Sequence, residues 1–407
     1  MKLASIVKFL CCFTLVIACQ IYAQQRKLLA DDGKAGDQFG FSVAIDGTTA
    51  LVGALEADAK DIKDSGAAYI YSLGAAGWQQ QAKLIADPAY AGDTFGGNVA
   101  LKNHIAMLGV IKRDDKAENA GAVFVFERQP DKWSQKQMLT AIDAKAGDAF
   151  GQSIALTERF VVIGAPHSDA PLKDSGSAYI YQRQSDKWQF HSKLAATDGA
   201  EGDLFGISVA IDGNTILVGA DLNDERAEKA GAVYVYQFDG QHWQHQAKLM
   251  AEDGTDTDIF GVRVALIGDT ALISARRDDV EGIGKDAGSA YIFERTEDKW
   301  TQTQKLVAPD GKAEDRFANG VALSKDTALI SASHHDANGN NAGAVYLFKK
   351  QQGQWRFSSK IVAGDGAPED KFGWNVALSN NIAIIAVPHR NDNGSASGAA
   401  YVLDLTD

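Results

Sequence analysis

Seven side chains stand out on an otherwise acidic chain: Arg276, Arg277, His334, His335, His389, Arg390 and Trp374. The protein has 407 residues with 40 Lys and Arg against 53 Asp and Glu, a formal net charge of −13. That balance repels nucleic acid and anionic lipid, because phosphate binding needs clustered cations. Brought together, the seven would suit a carboxylate, sulfate or phosphate on a partner: guanidinium groups donate paired hydrogen bonds to an oxyanion, and an indole offers a flat apolar face. Catalytic signatures are weak. The chain has no Gly-x-Ser-x-Gly elbow, and among its many carboxylates no pair is singled out for glycoside hydrolysis. Whether the seven meet depends on the elements that carry them.

Those elements repeat. Asp precedes Phe by two positions at Asp37/Phe39, Asp93/Phe95, Asp148/Phe150, Asp203/Phe205, Asp258/Phe260, Asp315/Phe317 and Asp370/Phe372, with a period of 55 to 57 residues. Gly followed by an aromatic three positions later runs in phase, from Gly66/Tyr69 to Gly398/Tyr401, and a Trp follows nine residues past the first six aromatics. Each copy reads as four short strands, in the first copy residues 40–45, 49–54, 67–73 and 78–86, rich in Val, Ile, Tyr and Phe and bounded by Gly and Asp. Asp46-Gly47 supplies the positive φ of a tight hairpin. A lone four-stranded meander cannot bury both faces. Seven of them packed radially form an all-β, seven-bladed β-propeller.

The chain ends predict how the ring closes. The seventh copy stops after its third strand, while Lys27-Leu28-Leu29-Ala30 matches the fourth-strand ending Lys83-Leu84-Ile85-Ala86. An N-terminal strand completing the last blade also covers an exposed sheet edge.

Before that strand, residues 1–23 carry Lys2 and Lys8 and then an apolar run from Phe9 to Ala18, the layout of a secretory signal and too short for a membrane span. Release after Ala23 competes with a lipobox reading, Val16-Ile17-Ala18-Cys19, in which Cys19 takes a lipid. Either reading places the protein outside the cytoplasm: secreted, periplasmic, or lipid-anchored at the cell surface or outer membrane. Cys11, Cys12 and Cys19 all lie in this segment, so residues 24–407 form one propeller without disulfides.

The repeated residues resemble the FG-GAP repeats of integrin alpha-subunit propellers and related secreted bacterial proteins. Phe-Gly stands at 39–40, 95–96, 150–151, 205–206, 260–261 and 372–373; Gly-Ala or Gly-Ala-Pro at 53–54, 164–166 and 219–220; Gly-Ala-Val-Tyr at 231–234 and 343–346. The resemblance covers residues 26–403 and implies a seven-bladed propeller that binds proteins or glycans without catalysis. Many members carry an Asp- and Asn-rich calcium loop between the Phe-Gly and Gly-Ala-Pro strands. Here that link is a short turn, as at Asp46-Gly47, residues 156–159 and residues 379–381, so the family's calcium loops are expected to be missing and no cofactor is expected.

A residue present in every copy serves the blade. The seven Asp and seven Phe are therefore structural markers of the repeat. The Asp are read as loop braces that accept backbone N–H bonds, and the six Trp as packing between blades with each indole N–H partnered at the rim. Function is expected where the copies differ, in the loop after the second strand. There blades five to seven carry Arg276-Arg277, Ser333-His334-His335 and Pro388-His389-Arg390, close to Trp374 and to the irregular Ala318-Asn319-Gly320. His167, His334 and His389 share one column, but blade three lies too far around the ring for a three-His zinc site. The expectation is a monomeric, non-catalytic binding propeller that takes a protein or polysaccharide through one face, touching membrane only through a lipid on Cys19. A glycan-acting enzyme with its site at the axial entrance is the alternative.

Overall fold

The second strand of each blade is mainly apolar and buried on both faces: Thr49–Ala54, Ile105–Val110, Phe160–Ala165 and Thr215–Ala220 have no exposed residue. A strand sandwiched between two neighbouring sheets loses the alternation of a half-exposed one. Outermost strands such as Lys299–Leu306 alternate, facing water along one side. The computed structural model describes residues 25–406; the segment expected to be a secretory signal, with Cys19, lies outside the described residues.

Seven four-stranded antiparallel sheets follow one another, six of them built in chain order from the axis outward and the seventh completed by the N-terminal strand. Blade one comprises Phe39–Asp46, Thr49–Ala54, Ala67–Gly74 and Gly77–Leu84, in close agreement with the strands expected from sequence. Blade seven comprises Val376–Ser379, Ile382–Val387 and Ala399–Asp404, completed by Arg26–Leu28. That N-terminal strand pairs Arg26 with Val402, Lys27 with Tyr401 and Leu28 with Ala400, closing the ring as expected.

Seven apolar cores hold the ring, one per junction between blades. Phe39, Tyr69, Ile384 and Val402 share the core joining blades seven and one, and Phe205, Tyr234, Phe160 and Ile180 the core joining three and four. Phe260 belongs to the core between blades four and five, Phe317 to that between five and six, and Phe372 to that between six and seven. The closing junction is therefore packed like the others.

In each blade the repeated Phe meets the third-strand aromatic edge to face. Phe39 meets Tyr69 with centroids 5.5 Å apart and Phe150 meets Tyr179 at 5.4 Å. Phe260 meets Tyr291 at 5.5 Å, Phe317 meets Tyr346 at 5.4 Å and Phe372 meets Tyr401 at 5.5 Å. Phe39, Phe95, Phe150, Phe205, Phe260, Phe317 and Phe372 are all buried, none more than 1% exposed. They mark the repeat because they fill its junctions, and none of them can form part of a surface that a ligand touches. Phe317 departs from the others in one respect: Ala318, not Gly, follows it and takes φ +69°, within the longer inner strand Phe317–Leu323.

The preceding Asp accepts the backbone N–H of the residue three positions earlier in every blade, from Lys34 N to Asp37 at 2.8 Å to Ala367 N to Asp370 at 2.7 Å. Asp148 and Asp258 make this bond at 2.8 Å and 2.7 Å. A second brace links a third-strand Tyr, an interblade Asp and an outermost Lys. In blade three Tyr179 and Lys193 both bind Asp143 at 2.7 Å. Corresponding triads occur in blades one, four, five, six and seven.

Blade two breaks this pattern in four places at once. Phe124 replaces the Tyr, Pro88 the Asp and Met138 the Lys, while Arg113 stands in the loop after the second strand. Arg113 is 1% exposed, donates to Asp93 at 2.7 Å and to the Pro88 carbonyl at 3.0 Å, pairs with Asp115, and lies over the Tyr90 ring. Arg113 thus reaches to Pro88, which stands where the triad's Asp lies in other blades, and pairs with the repeated Asp93, as Arg390 pairs with Asp370 in blade seven beside an intact triad.

The Trp expectation needs correcting. Trp188, Trp243, Trp300 and Trp355 are buried, but only Trp300 donates its indole N–H, to Gln246 at 2.9 Å. The N–H groups of Trp188, Trp243 and Trp355 are buried without a partner. Trp78 and Trp133 remain half-buried.

Candidate functional site

Two loop sets share one axial face: the loops after the second strands and the loops between blades. They are knitted by backbone bonds, such as Thr94 N to Asp64 O at 3.2 Å and Phe95 N to Ser65 O at 3.0 Å. The first loop residue after the second strand points toward the axis; Leu55 and Ile111 in this position line a central cavity of about 190 Å³, with Phe41, Gln152, Arg263 and Trp374.

Position along this loop separates the basic residues. Arg276 holds the axis-facing first position, and its Nη1 donates to Asn319 Oδ1 at 3.2 Å. Asn319 in turn donates to the Trp374 carbonyl at 2.9 Å, tying blades five, six and seven at the mouth. Trp374 stacks against His389 with centroids 6.0 Å apart and meets Phe41 at 5.8 Å. Arg277, next to Arg276, is exposed on the rim. His334 is half-buried beside Arg316, Lys371 and Arg276.

Arg390 and His335 do not join this group, which corrects the expectation that all seven residues form one patch. Both occupy the third loop position, where a tight turn folds the chain back: Arg390 N bonds Val387 O at 3.3 Å and His335 N bonds Ala332 O at 3.1 Å. Their side chains therefore run beneath the loop toward their own blade's Asp. Arg390 pairs with Asp370 at 2.6 Å, and His335 lies 3.9 Å from Asp315 and 3.1 Å from Lys360. Arg113 and Asn223, in the same position, bind Asp93 and Asp203.

His334 and His389 are not among the cations of this face. Burial, with Arg316 and Lys371 nearby, pushes His334 down to about 4, and burial with Lys371 also lowers His389. Near neutral pH these rings are uncharged hydrogen-bonding groups.

Cations that sequence reasoning overlooked take their place. Arg263 stands two residues after Gly261, where Ser42, Ser153 and Ser208 of other blades donate to the next blade's Gly carbonyl at 2.6 to 2.8 Å. Arg316 and Lys371 fill the position between Asp and Phe, which elsewhere holds Gln38, Thr94, Ala149, Leu204 and Ile259. Asp221, 7% exposed, fills the axis-facing loop position of blade four.

Electrically the mouth is unbalanced. Burial pushes Asp221 up to about 6, with Arg276 and Arg263 pulling the other way. Burial and then Arg263 bring Arg276 down to about 10, and burial lowers Arg263 too. Among the described residues, neither Arg263, Arg276 nor Arg316 has a carboxylate within ion-pairing distance, whereas Arg113, Arg183, Arg295 and Arg390 all do. Asp221 Oδ1, Ser274 Oγ, Arg276 Nε and Arg316 Nε are buried without a hydrogen-bond partner.

Asp221 yields a stability prediction. Its folded-state pKa lies above the usual 3.8, so the fold favours the protonated acid. That contribution is complete below about pH 3.8 and is lost as pH rises through about 6. At about 1.4 kcal/mol per unit, Asp221→Asn is expected to match the wild type near pH 4 and exceed it by up to roughly 3 kcal/mol near pH 8. Urea unfolding of both proteins across this range checks it; a pH-independent difference would contradict the assignment.

The acids and amide of the longer loops brace the turns that carry them. Asp58, Asp114, Asp169, Asp224, Asp279, Asp336 and Asn391 each accept a backbone N–H within their own loop, which closes it. His167 lies by Asp174 at 3.3 Å in blade three. Among the described residues no three His, Cys, Asp or Glu side chains converge as a metal site requires.

The other axial face carries shallower hollows, one of about 450 Å³ lined by Lys102, Glu158, Arg159 and Asp212. Arg159 there lies over Phe160 at 4.7 Å.

No curated protein matches the chain. Among solved structures it is similar to the crystal structure of Sqt1 from Saccharomyces cerevisiae, with a TM-score of 0.50 and 10% identity over 92% of this chain and 98% of that one, a likeness of fold. The FG-GAP repeat profile matches seven times, at residues 22–71, 78–126, 133–181, 188–236, 243–293, 300–348 and 355–403. With seven profile matches laid over seven blades, the chain belongs to the FG-GAP repeat family.

Proposed function

We propose that the protein is a non-catalytic, extracytoplasmic binding propeller that recognises a protein or polysaccharide through the face built from the second-strand and interblade loops, centred on blades four to seven. The observation that carries this reading is the contrast in arginine partners: Arg263, Arg276 and Arg316 face the axial mouth without an acid, while Arg113, Arg183, Arg295 and Arg390 are each engaged by one. Half-buried cations without an acid to pair with cost stability, so a protein that keeps three of them at one mouth retains them for a ligand. Trp374, stacked at the rim and half-exposed, adds an apolar platform suited to a sugar ring or an aromatic side chain. The export reading rests on Lys2, Lys8 and the apolar run from Phe9 to Ala18.

A glycan and protein array tests this, probed with wild type, the front-face variant Arg276→Gln/Trp374→Ala and the back-face variant Arg159→Gln. Wild type and the back-face variant are expected to share the same hits. The front-face variant should lose them by at least about tenfold, as removal of a central Arg and an aromatic anchor implies. Hits that survive in the front-face variant and vanish in the back-face one would overturn the assignment, as would turnover of any arrayed glycan.

A further inference from the structure

We infer that the axial mouth on blades four to six is a receptor for a compact oxyanion, a sulfate, phosphate or carboxylate group, held between the guanidinium groups of Arg263, Arg276 and Arg316. This deepens the binding reading above and rests on the same face, but it stands on its own geometry. Three guanidinium groups come from two blades and from different loops: Arg263 from the inner strand region of blade five, Arg276 from its second-strand loop, and Arg316 from the entry to blade six. Arg276 Nη1 donates to Asn319, whose N–H bonds the Arg316 carbonyl at 3.2 Å, and Ser274, two residues before Arg276, bonds the Arg263 carbonyl at 3.0 Å, so the three arise from one small region of the mouth; Asp221 beside it forms no ion pair with any of them among the described residues. With three cations and one carboxylate the cluster carries an excess positive charge.

The hydrogen-bonding capacity left open matches an anion. Arg276 Nε and Arg316 Nε are donors enclosed by protein and unused, and Ser274 Oγ, fully buried in the adjacent strand, is a third. Arg276 spends one Nη1 hydrogen on Asn319, which orients the guanidinium and leaves its Nε edge free. A planar guanidinium offering its Nε and a terminal nitrogen is the arrangement that binds two oxygens of one oxyanion. An unfilled donor set of this kind is what a buried site retains when its partner is a ligand. Asp221 limits the charge: its carboxylate offsets one guanidinium while the mouth is empty and competes with an incoming anion.

The contrast with Arg113 and Arg390 supports the distinction. Those arginines also sit in second-strand loops, but each is engaged by the Asp of its own blade. At the mouth several donors on neighbouring side chains are left over together.

Titration calorimetry with inorganic sulfate, inorganic phosphate and glucuronate as separate probes tests the inference, with arginine Nε–H resonances followed by NMR in parallel. Wild type is expected to bind one equivalent of at least one probe saturably, with the resonances of Arg276 and Arg316 shifting. Arg276→Gln and Arg316→Gln should each weaken binding at least tenfold, Asp221→Asn should tighten it, and the back-face Arg159→Gln should leave it unchanged. The tetrahedral probes and glucuronate together separate a sulfate or phosphate ligand from an acidic sugar. Absence of saturable binding by all three probes, or binding untouched by both Gln variants, would overturn the inference. Array hits lost in the front-face variant without any anion binding would leave the face assignment standing and remove the oxyanion site. Anion binding with array hits on the back face would do the reverse.

Discussion

Replacing Gly176 by Ala is expected to destabilise the fold severely, although it adds a single methyl group. Gly176 sits before the third strand of blade three with φ +87°, and a Cβ there would lie 2.1 Å from Phe205 O and 2.5 Å from Phe205 N. Those are backbone atoms of the next blade, to which Gly176 is bridged, so the methyl cannot be accommodated by a rotamer change. Either the bridge opens or blade four moves outward, and the Phe205 ring moves with it out of the core between blades three and four. To the left-handed strain of roughly 1–2 kcal/mol is added the loss of junction packing, giving an expected cost above about 4 kcal/mol. Gly202→Ala is the matched control. Its φ is +83°, but nothing lies within 4 Å of the added Cβ. It should cost only the local strain. Denaturant unfolding of the two variants distinguishes them, and equal losses would contradict the view that these glycines lock blade to blade. The same geometry recurs at the later junctions, where a Cβ on Gly231, Gly288 or Gly343 would meet the backbone of Phe260, Phe317 or Phe372 at 2.1 to 2.2 Å.

The second large effect is expected at Arg113. Arg113→Leu removes the only cation paired with Asp93 among the described residues, a carboxylate 4% exposed, and also leaves the Pro88 carbonyl without this donor. Breaking a buried pair from one side typically costs roughly 3–5 kcal/mol, because the remaining charge is stranded. The sequence itself suggests the repair. Arg113→Ser combined with Pro88→Asp, Phe124→Tyr and Met138→Lys rebuilds in blade two the Tyr179, Asp143 and Lys193 triad of blade three, where Ser168 holds the loop position. This fourfold variant is expected to recover most of the stability lost by Arg113→Leu. If it is no more stable than the single variant, Arg113 and the triads are not interchangeable solutions to one packing problem.

Both predictions bear on what could be read before the fold was known. Strands, turns and ring closure were legible because each leaves a local trace: apolar stretches of strand length, Asp-Gly turns, and a fourth strand absent at one end and present at the other. Two of the site residues, Arg276 and Trp374, were legible as a cation and an aromatic in columns that vary from copy to copy. The error at Arg390 and His335 came from treating a loop as a single position. The first loop residue continues the strand and faces the axis, whereas the third follows a tight turn and points back beneath it. Residue type does not encode that reversal; aligned copies do, since Arg113, Asn223 and Arg390 all donate to the same repeated Asp. Arg263 and Arg316 were overlooked because they stand beside structural markers, Phe260 and Phe317, in columns that are otherwise Ser, Asn or mixed. Those two Phe rings are buried while their charged neighbours reach the mouth, and a repeat column records the first fact more plainly than the second. The meeting of Arg263 and Arg316 is a property of the closed ring, which brings residues 53 positions apart to one place.

Asp221 illustrates why such a site is costly to keep. Its carboxyl is held well above the usual range by burial, even with two arginines nearby. Asp221→Asn is therefore expected both to stabilise the fold near neutral pH and to change the charge of the mouth. A residue whose removal helps folding is retained for another reason.

The central claim, that the axial mouth on blades four to six is where a ligand binds, is tested most directly by a crystal structure of the protein grown with sulfate at high resolution. The account predicts a tetrahedral anion within hydrogen-bond reach of Arg276 Nε and Arg316 Nε, close to Asp221. A mouth in which those two nitrogens instead contact Asp221 or water alone, with sulfate bound only elsewhere, would contradict it.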